Sequence, residues 1–203
     1  MPDVSSEGGV LKSAVRAEPE SGFATMTDEQ LARLALRQRE AFGEIYVRYS
    51  DRIFRYAAGR TGSRTIADDV LNDTMVGALE GLHRYDADKG SLASWLFTIA
   101  SRRIADHERG RAQFWRFVSR RGSDDINDDM LDAMIRAEDH EHVRLAVQRL
   151  PKRQREIVLL RYVGELSFRD VARVLGISEG AARMRVNRAL RRLAEEMGDQ
   201  HAG

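Results

Sequence analysis

The chain has 203 residues, of which 42% are hydrophobic and 32% charged, and its net charge is +1. This length allows one or two small domains, and the absence of cysteine excludes disulfides and cysteine-based zinc sites. No apolar run approaches the roughly 20 residues of a membrane helix, and the N-terminus lacks the apolar core of a signal peptide. We therefore expect a cytoplasmic, helix-rich protein without membrane insertion.

The N-terminal part of the sequence predicts a tail followed by four helices. Residues 1–26 are rich in Ser, Gly, Glu and Ala without a hydrophobic period, as in a flexible tail. Thr27 and Gln30 form a capping box that opens the first helix. Apolar residues at three- and four-residue steps predict three more helices, the second ending at Gly59 and Gly62, the third running from about Thr65 to Leu82 and the fourth capped by Ser91. We interpret residues 27–110 as a four-helix domain.

The periodicity stops after Gly110. Residues 111–121 carry four basic and no acidic side chains, and residues 122–135 carry five acidic and no basic ones. We interpret 111–135 as a charge-polarised linker. Helical periodicity resumes near Ala133, with breaks at Pro151, Gly164 and Gly176. Residues 136–197, with 14 basic and 9 acidic side chains, are predicted as a second domain, followed by a short tail at 198–203. The predicted fold is all-α, with two small helical domains joined by an irregular linker.

A helix-turn-helix is predicted between Ser167 and Arg192. Ser167 caps the first helix, Gly176 supplies the turn and Ser178 caps the second helix. The second helix has an apolar face opposite a face rich in arginine, which suits insertion into a DNA major groove. The side chains placed to reach base edges are Arg183, Met184, Asn187 and Arg188, and those placed to reach phosphates are Arg185, Arg191 and Arg192. The alternative is a helical hairpin that only packs.

The fourth helix combines aromatic and basic side chains. Trp95 and Phe97 lie near its start, and Arg102, Arg103, His107, Arg109 and Arg111 follow on later turns. Aromatic side chains beside a basic helix can hold unstacked bases of single-stranded DNA. In the alternative interpretation Trp95 belongs to the core and the arginines form a solvated face.

An acidic cluster lies on the third helix, at Asp68, Asp69, Asn72 and Asp73. It is either a set of carboxylates placed near the positive end of a helix or a docking face for a basic partner surface. Elsewhere the sequence has no phosphate-binding glycine loop, nucleophile elbow or metal-ligand spacing. We therefore predict no catalytic residues, no metal, no cofactor and no small-molecule substrate.

Several stretches, in this order, resemble the bacterial sigma factors of the extracytoplasmic-function (ECF) type, within the sigma-70 superfamily. They are AFGEIYVRYSDRIFRYA from Ala41, ADDVLNDTM from Ala67, WLFTIASRRIADHERGR from Trp95 and LPKRQREIVLLRYVGELSFRDVARVLGISEG from Leu150. The resemblance covers about residues 28–197. It implies that 27–110 is the region 2 domain and 136–197 the region 4 domain of such a factor.

The resemblance implies a protein that binds core RNA polymerase and directs it to promoter DNA, and that is held inactive by an anti-sigma protein. The implied polymerase contacts are Asp68, Asp69, Asn72 and Asp73. The implied contacts to the −10-type element are Trp95, Arg102, Arg103, Asp106, His107 and Arg109, beside a loop at Tyr85–Ser91 that holds an extruded base. The implied contacts to the duplex −35-type element are Ser178, Glu179, Arg183, Met184, Arg185, Asn187 and Arg188. The acidic linker is expected to thread through polymerase channels.

The chain departs from the family pattern at three places. Asn72 replaces a glutamine, Ser101-Arg102-Arg103 replaces a segment that commonly begins with asparagine, and Met184 lies where the family often has serine. The alternative function is a free-standing helix-turn-helix regulator that binds duplex DNA without polymerase. That alternative leaves the acidic helix and the Trp95 helix unexplained. A nucleic-acid-processing enzyme ranks third, because no catalytic constellation supports it.

Overall fold

The computed structural model describes residues 22–118 and 138–198, and these parts are helical. The helices are α1 (Asp28–Ala35), α2 (Glu40–Thr61), α3 (Arg64–Gly81), α4 (Leu92–Val118), α5 (Glu138–Arg149), α6 (Lys152–Val158), α7 (Phe168–Leu175) and α8 (Glu179–Gly198). A short 3₁₀ turn, Leu82–Arg84, follows α3, and a π turn, Leu159–Val163, follows α6. We call α1–α4 the N-terminal unit and α5–α8 the C-terminal unit.

The predicted helix starts are confirmed by hydrogen bonds. The Thr27 hydroxyl accepts from the Gln30 backbone N–H at 3.3 Å while the Gln30 side chain accepts from the Thr27 N–H at 2.8 Å, which completes the capping box. Ser91 caps α4 by accepting from the Ser94 N–H at 3.1 Å. The third helix starts within a residue of the prediction, at Arg64, and the Ser63 side chain caps it.

Two predictions about helix ends need correction. Gly59 lies inside α2, and only Gly62 ends the helix, in the left-handed conformation with a φ of 72°. The fourth helix continues to Val118, eight residues into the segment predicted as linker. Extending a helix that has already formed adds one hydrogen bond per residue fixed, and no proline interrupts this segment. The rest of the predicted linker, including its acidic residues, lies outside the described residues.

The two units pack against each other around one continuous apolar core. In the N-terminal unit the core contains Leu31, Ile45, Ile53, Tyr56 and Phe97, and in the C-terminal unit Leu150, Ile157, Leu160, Val171 and Val186. Helix α4 contacts α7, and α2 contacts the π turn. Among the described helices, none is long and apolar enough to cross a membrane.

A strained turn leads from the π turn into the helix-turn-helix. Glu165 has a φ of 52°, in the left-handed region that favours glycine. The residue before it, Gly164, has a negative φ but lies where a Cβ atom would come within 3.0 Å of the Phe97 ring. The Leu160 carbonyl oxygen is closer still, 2.7 Å from that Cβ position, so both neighbours require glycine at 164.

Candidate nucleic-acid interface

Helices α7 and α8 form the predicted helix-turn-helix. Gly176 has a φ of 63°, and its N–H closes the last turn of α7. Ser178 then caps α8 by accepting from the Ala181 N–H at 3.2 Å. Ala182, Val186 and Ala189 are fully buried against the rest of the unit. Because buried side chains on successive turns hold one face of α8 against the unit, its opposite face is exposed.

The free face of α8 consists of the residues predicted to contact DNA. All seven are exposed: Ser178, Glu179, Arg183, Met184, Arg185, Asn187 and Arg188. Glu179 holds Arg183 in an ion pair at 3.0 Å, and the Arg183 guanidinium lies 4.5 Å from the ring centroid of Phe168. Glu179 and Phe168 therefore orient an arginine that points away from the core. The sequence did not single out Phe168 for this role.

The aromatic residues of α4 have different roles. Phe97 is fully buried and packs edge-on against Tyr56, with ring centroids 5.4 Å apart, so it belongs to the core. Trp95 is half-buried, and its ring packs against Tyr85 at a centroid distance of 5.6 Å. Of these two rings, that of Trp95 retains an accessible surface.

The polar residues predicted on α4 fall on two sides of the helix. Steps of seven, four and three residues place Trp95, Arg102, Asp106 and Arg109 along one stripe. In that stripe the three polar residues are exposed, and Arg109 forms an ion pair with Asp106.

Arg103 lies off this stripe and is half-buried against α3. One of its guanidinium nitrogens lies 3.3 Å from where a Cβ atom on Gly77 would be. His107 lines a cleft between the units with Arg60, Lys152 and Arg155. The structure thus does not bring His107 together with the exposed stripe.

The loop Tyr85–Ser91 lies against the helix-turn-helix. Within the loop, Asp86 accepts from the Asp88 N–H at 3.1 Å and pairs with Lys89 at 3.0 Å. The hydrogen bond from Lys89, together with that from the Asp88 backbone N–H, lowers the pKa of Asp86. A cleft of about 420 Å³ separates the loop from α7 and is lined by Asp88, Gly90, Ser91, Arg169 and Arg173 among others.

The acidic cluster on α3 forms an exposed face. Asp68, Asp69, Asn72 and Asp73 are all exposed, and none pairs with a cation among the described residues. They lie beyond the first turn, since α3 begins at Arg64 and its first turn carries no acidic residue. The field of a helix end fades within one turn, so it does not explain these carboxylates. The opposite side of α3 is buried, so these four side chains face solvent.

The described residues contain no group of three or more His, Asp or Glu side chains that could hold a metal ion. The groove on α8, about 650 Å³ in volume, is lined instead by Arg188, Arg191 and Arg192 with two glutamates and Gln154. Cationic side chains around an open groove attract the phosphate backbone of nucleic acid.

Comparisons with known proteins agree with this geometry. The family descriptions Sigma-70 region 2 and Sigma-70, region 4 match residues 45–114 and 140–193. The ECF RNA polymerase sigma factor BldN of Streptomyces coelicolor is 32% identical over 174 residues, which cover 84% of this chain and 66% of BldN. The ECF RNA polymerase sigma factor RpoE of Cereibacter sphaeroides is 27% identical, with 79% of this chain and 88% of RpoE covered. The structure of CnrH in complex with the cytosolic domain of CnrY has a TM-score of 0.61 at 25% identity, covering 85% of this chain and 97% of CnrH.

The fold and the two matched regions define a member of the sigma-70 family, the proteins that give RNA polymerase its promoter choice. Within that family, the chain is an RNA polymerase sigma factor of the ECF type. The resemblance drawn from the sequence is confirmed, and so is the all-α fold.

Proposed function

We propose that this sigma factor reads promoters with two separate surfaces while bound to core polymerase. The free face of α8 reads the upstream element as duplex DNA. The α4 stripe, with Trp95 and the Tyr85–Ser91 loop, holds the downstream element as it opens. The observation that carries the proposal is the α8 geometry, in which a buried seam fixes the helix and an arginine-rich face stays exposed.

The roles within the upstream surface follow from side-chain chemistry. Arg183 and Arg188 can make bidentate contacts to guanine, and Asn187 can do the same with adenine. Met184, with 66% of its surface exposed, can contact a thymine methyl group but cannot donate a hydrogen bond. Arg185, Arg191 and Arg192 reach phosphates and set the register without reading sequence.

The downstream surface combines stacking and charge. Trp95 offers one partly exposed ring supported by Tyr85, which suits stacking on an unpaired base. Arg102 and Arg109 supply positive charge along the same stripe. Arg103 and His107 are less accessible, so we assign them a secondary role at most, through the backbone of the strand.

The exposed α3 face is proposed as the polymerase contact. Its unpaired carboxylates fit a basic surface on the polymerase clamp, with Asn72 at the centre. We infer further that residues 27–110 and 136–197 act as the two promoter-binding domains. We also propose that an anti-sigma protein inhibits the chain, as in the complex of the sigma factor RpoE with the anti-sigma factor NepR from Bartonella quintana, whose fold this chain shares. The site of action would be the cytoplasm, where polymerase and promoter DNA meet.

Transcription from a selected promoter tests the proposal. Purified chain and core polymerase are first used to select initiating sequences from a randomised promoter library. Arg188→Ala should then lower initiation at the selected promoter and relax preference at one upstream position, whereas Arg192→Ala should weaken all promoters alike. Tight, specific DNA binding by the chain alone, with no initiation in the presence of polymerase, would instead establish the free-standing regulator.

A further inference from the structure

A small cleft with basic walls lies where α2, α4 and α6 meet. Its volume is about 280 Å³, and the charged groups on its walls are three cations, Arg60, Lys152 and Arg155, and one carboxylate, Glu108. His107 adds an imidazole ring to the same walls. The cleft therefore carries more positive than negative charge.

The acidic groups at the cleft do not compensate all three cations. Oε1 of Glu156 lies 3.4 Å from a guanidinium nitrogen of Arg60, and Oε1 of Glu108 lies 3.5 Å from Nζ of Lys152. Among the described residues, no carboxylate pairs with Arg155. One cation of the cleft is thus left without an acidic partner in this part of the chain.

Backbone carbonyls hold Arg155 in place. Its Nη2 donates to the carbonyls of Gln148 and Leu150, at the end of α5, which fixes the guanidinium group at the wall of the cleft. The Nε atoms of Arg155 and Arg60 are both buried and have no hydrogen-bond partner among the described residues. A buried donor without an acceptor is costly, so the protein satisfies neither guanidinium group completely.

The two arginines also repel each other. Burial, and then the positive charge of Arg60, lowers the pKa of Arg155, and the smaller effect of Glu108 acts in the opposite direction. The Arg60 side chain is only 7% exposed, so solvent screens this repulsion weakly. An anion in the cleft would offset the repulsion, and an anion with several acceptor oxygens would also accept hydrogen bonds from the basic groups on the walls.

We propose that this cleft binds a phosphate group, carried by inorganic phosphate or by a small phosphorylated solute. Arg155 and Arg60 supply positive charge at the buried end, and Lys152, whose side chain is 75% exposed, supplies an ammonium group at the mouth. A volume of about 280 Å³ is at the lower limit of small-molecule pockets, so it suits one phosphate group and not a nucleic-acid strand. The site uses neither the free face of α8 nor the α4 stripe, and it goes beyond the promoter-reading function.

Titration of the full-length chain with inorganic phosphate tests the site. In a reference titration chloride replaces phosphate at equal ionic strength, so general screening is the same in both. Calorimetry should show saturable phosphate binding to the wild-type chain at one site. Phosphate should also raise the midpoint of thermal unfolding more than chloride does, because a ligand that binds the folded state stabilises it.

Two variants remove charge from the cleft. Lys152→Glu changes an exposed side chain, so it should leave the fold intact and weaken phosphate binding by about tenfold or more, since a charged hydrogen bond is replaced by repulsion. Arg155→Gln should weaken binding at least as much. The matched control is Arg153→Glu, because Arg153 is exposed on the same helix but does not line the cleft, so its affinity for phosphate should stay within about twofold of the wild type.

Circular dichroism checks that each variant remains helical, and if Arg155→Gln fails to fold, Lys152→Glu still decides the question. Titration with adenosine monophosphate identifies the carrier of the phosphate group. Tighter binding than that of inorganic phosphate assigns the site to a nucleotide, and equal or weaker binding assigns it to the phosphate ion itself.

Three results would overturn the phosphate site. The first is the absence of saturable phosphate binding by the wild-type chain. The second is wild-type affinity in Lys152→Glu or in a folded Arg155→Gln. The third is an equal loss of affinity in Lys152→Glu and Arg153→Glu, which would show that phosphate is attracted by the basic surface in general.

Discussion

The guanidinium of Arg183 lies over the ring of Phe168, 4.5 Å from its centroid, and so links the two helices of the helix-turn-helix. Arg161 approaches the same ring at 5.1 Å. Phe168 is thus held between two cations, one at the base of the motif and one on its reading face. An arginine supported in this way loses less side-chain freedom when it contacts a base.

Phe168→Leu should therefore weaken promoter discrimination without removing any DNA-contacting group. A cation–π contact at an exposed site contributes about 0.5–1 kcal/mol, so we expect a two- to fivefold loss of initiation at the preferred upstream sequence. This loss is measured by letting a promoter with the preferred upstream sequence compete with a second promoter in a single transcription reaction. Arg183→Ala sets the upper limit of the effect. Equal loss at both promoters would show that Phe168 supports only the fold.

Tyr49→Phe should destabilise the N-terminal unit. The Tyr49 hydroxyl donates to Asp28 at 2.5 Å and ties α2 to the start of α1. Loss of a part-buried hydrogen bond to a charged group should lower the free energy of unfolding by about 1–2 kcal/mol in urea titrations. Tyr46→Phe is the matched control, since no hydrogen bond of its hydroxyl is found among the described residues. Equal stability of the two variants would contradict this role.

The same tyrosine predicts a dependence on alkaline pH. Burial, and then the hydrogen bond to Asp28, raises the pKa of Tyr49 above its ordinary 10.0. A raised pKa means that the folded state holds the proton longer than the unfolded state does, so stability is complete below pH 10 and declines as pH rises above it. Tyr49→Phe should make this decline shallower. Denaturation at pH 9 and pH 11 measures the difference, and an unchanged slope would argue against it.

Glu165→Gly should stabilise the turn before the helix-turn-helix relative to Glu165→Ala. Both variants remove the ion pair to Arg52, so their comparison isolates the backbone at a φ of 52°. Left-handed backbone costs a residue with a Cβ atom about 1 kcal/mol more than glycine. Thermal unfolding should rank the glycine variant above the alanine variant. The opposite order would mean that the turn relaxes when the side chain is lost.

Asn72→Gln should strengthen binding to core polymerase. The extra methylene restores the reach that the family's usual glutamine has at the centre of the exposed α3 face. We expect a several-fold gain in affinity, and a loss of similar size for Asp73→Lys because it reverses a charge opposite a basic surface. Fluorescence titration with core polymerase measures both. Glu40→Gln, an exposed charge on α2, serves as the control. If all three variants bind like the wild type, polymerase contacts another surface.

Much of this protein can be predicted from local sequence. The capping pairs at Thr27 and Ser91, the turn at Gly176 and the buried seam of α8 each depend on residues within a few positions of each other. Local hydrogen bonds and helical periodicity decide such features, and both are visible in the sequence. The predicted free face of α8 was exposed as expected.

Other features depended on where each helix packs. Periodicity did not separate Phe97, which is core, from Trp95, which is half-exposed, because both lie near the start of α4. Gly59 was interpreted as a helix end, whereas its role is to admit Leu159 from the other unit. His107 was grouped with the DNA contacts, but the packing of α6 places it in a cleft between the units.

The sequence by itself determined the helices, their caps, the helix-turn-helix and the resemblance to ECF sigma factors, because these features arise from neighbouring residues. Only the tertiary structure decided that Glu156 meets Tyr56, 100 positions away, and that the helix-turn-helix packs beside the loop Tyr85–Ser91. The residues next to Glu156 and Arg60 in the sequence give no indication that these two side chains form an ion pair. Only the complementary packing of the two units selects that pairing.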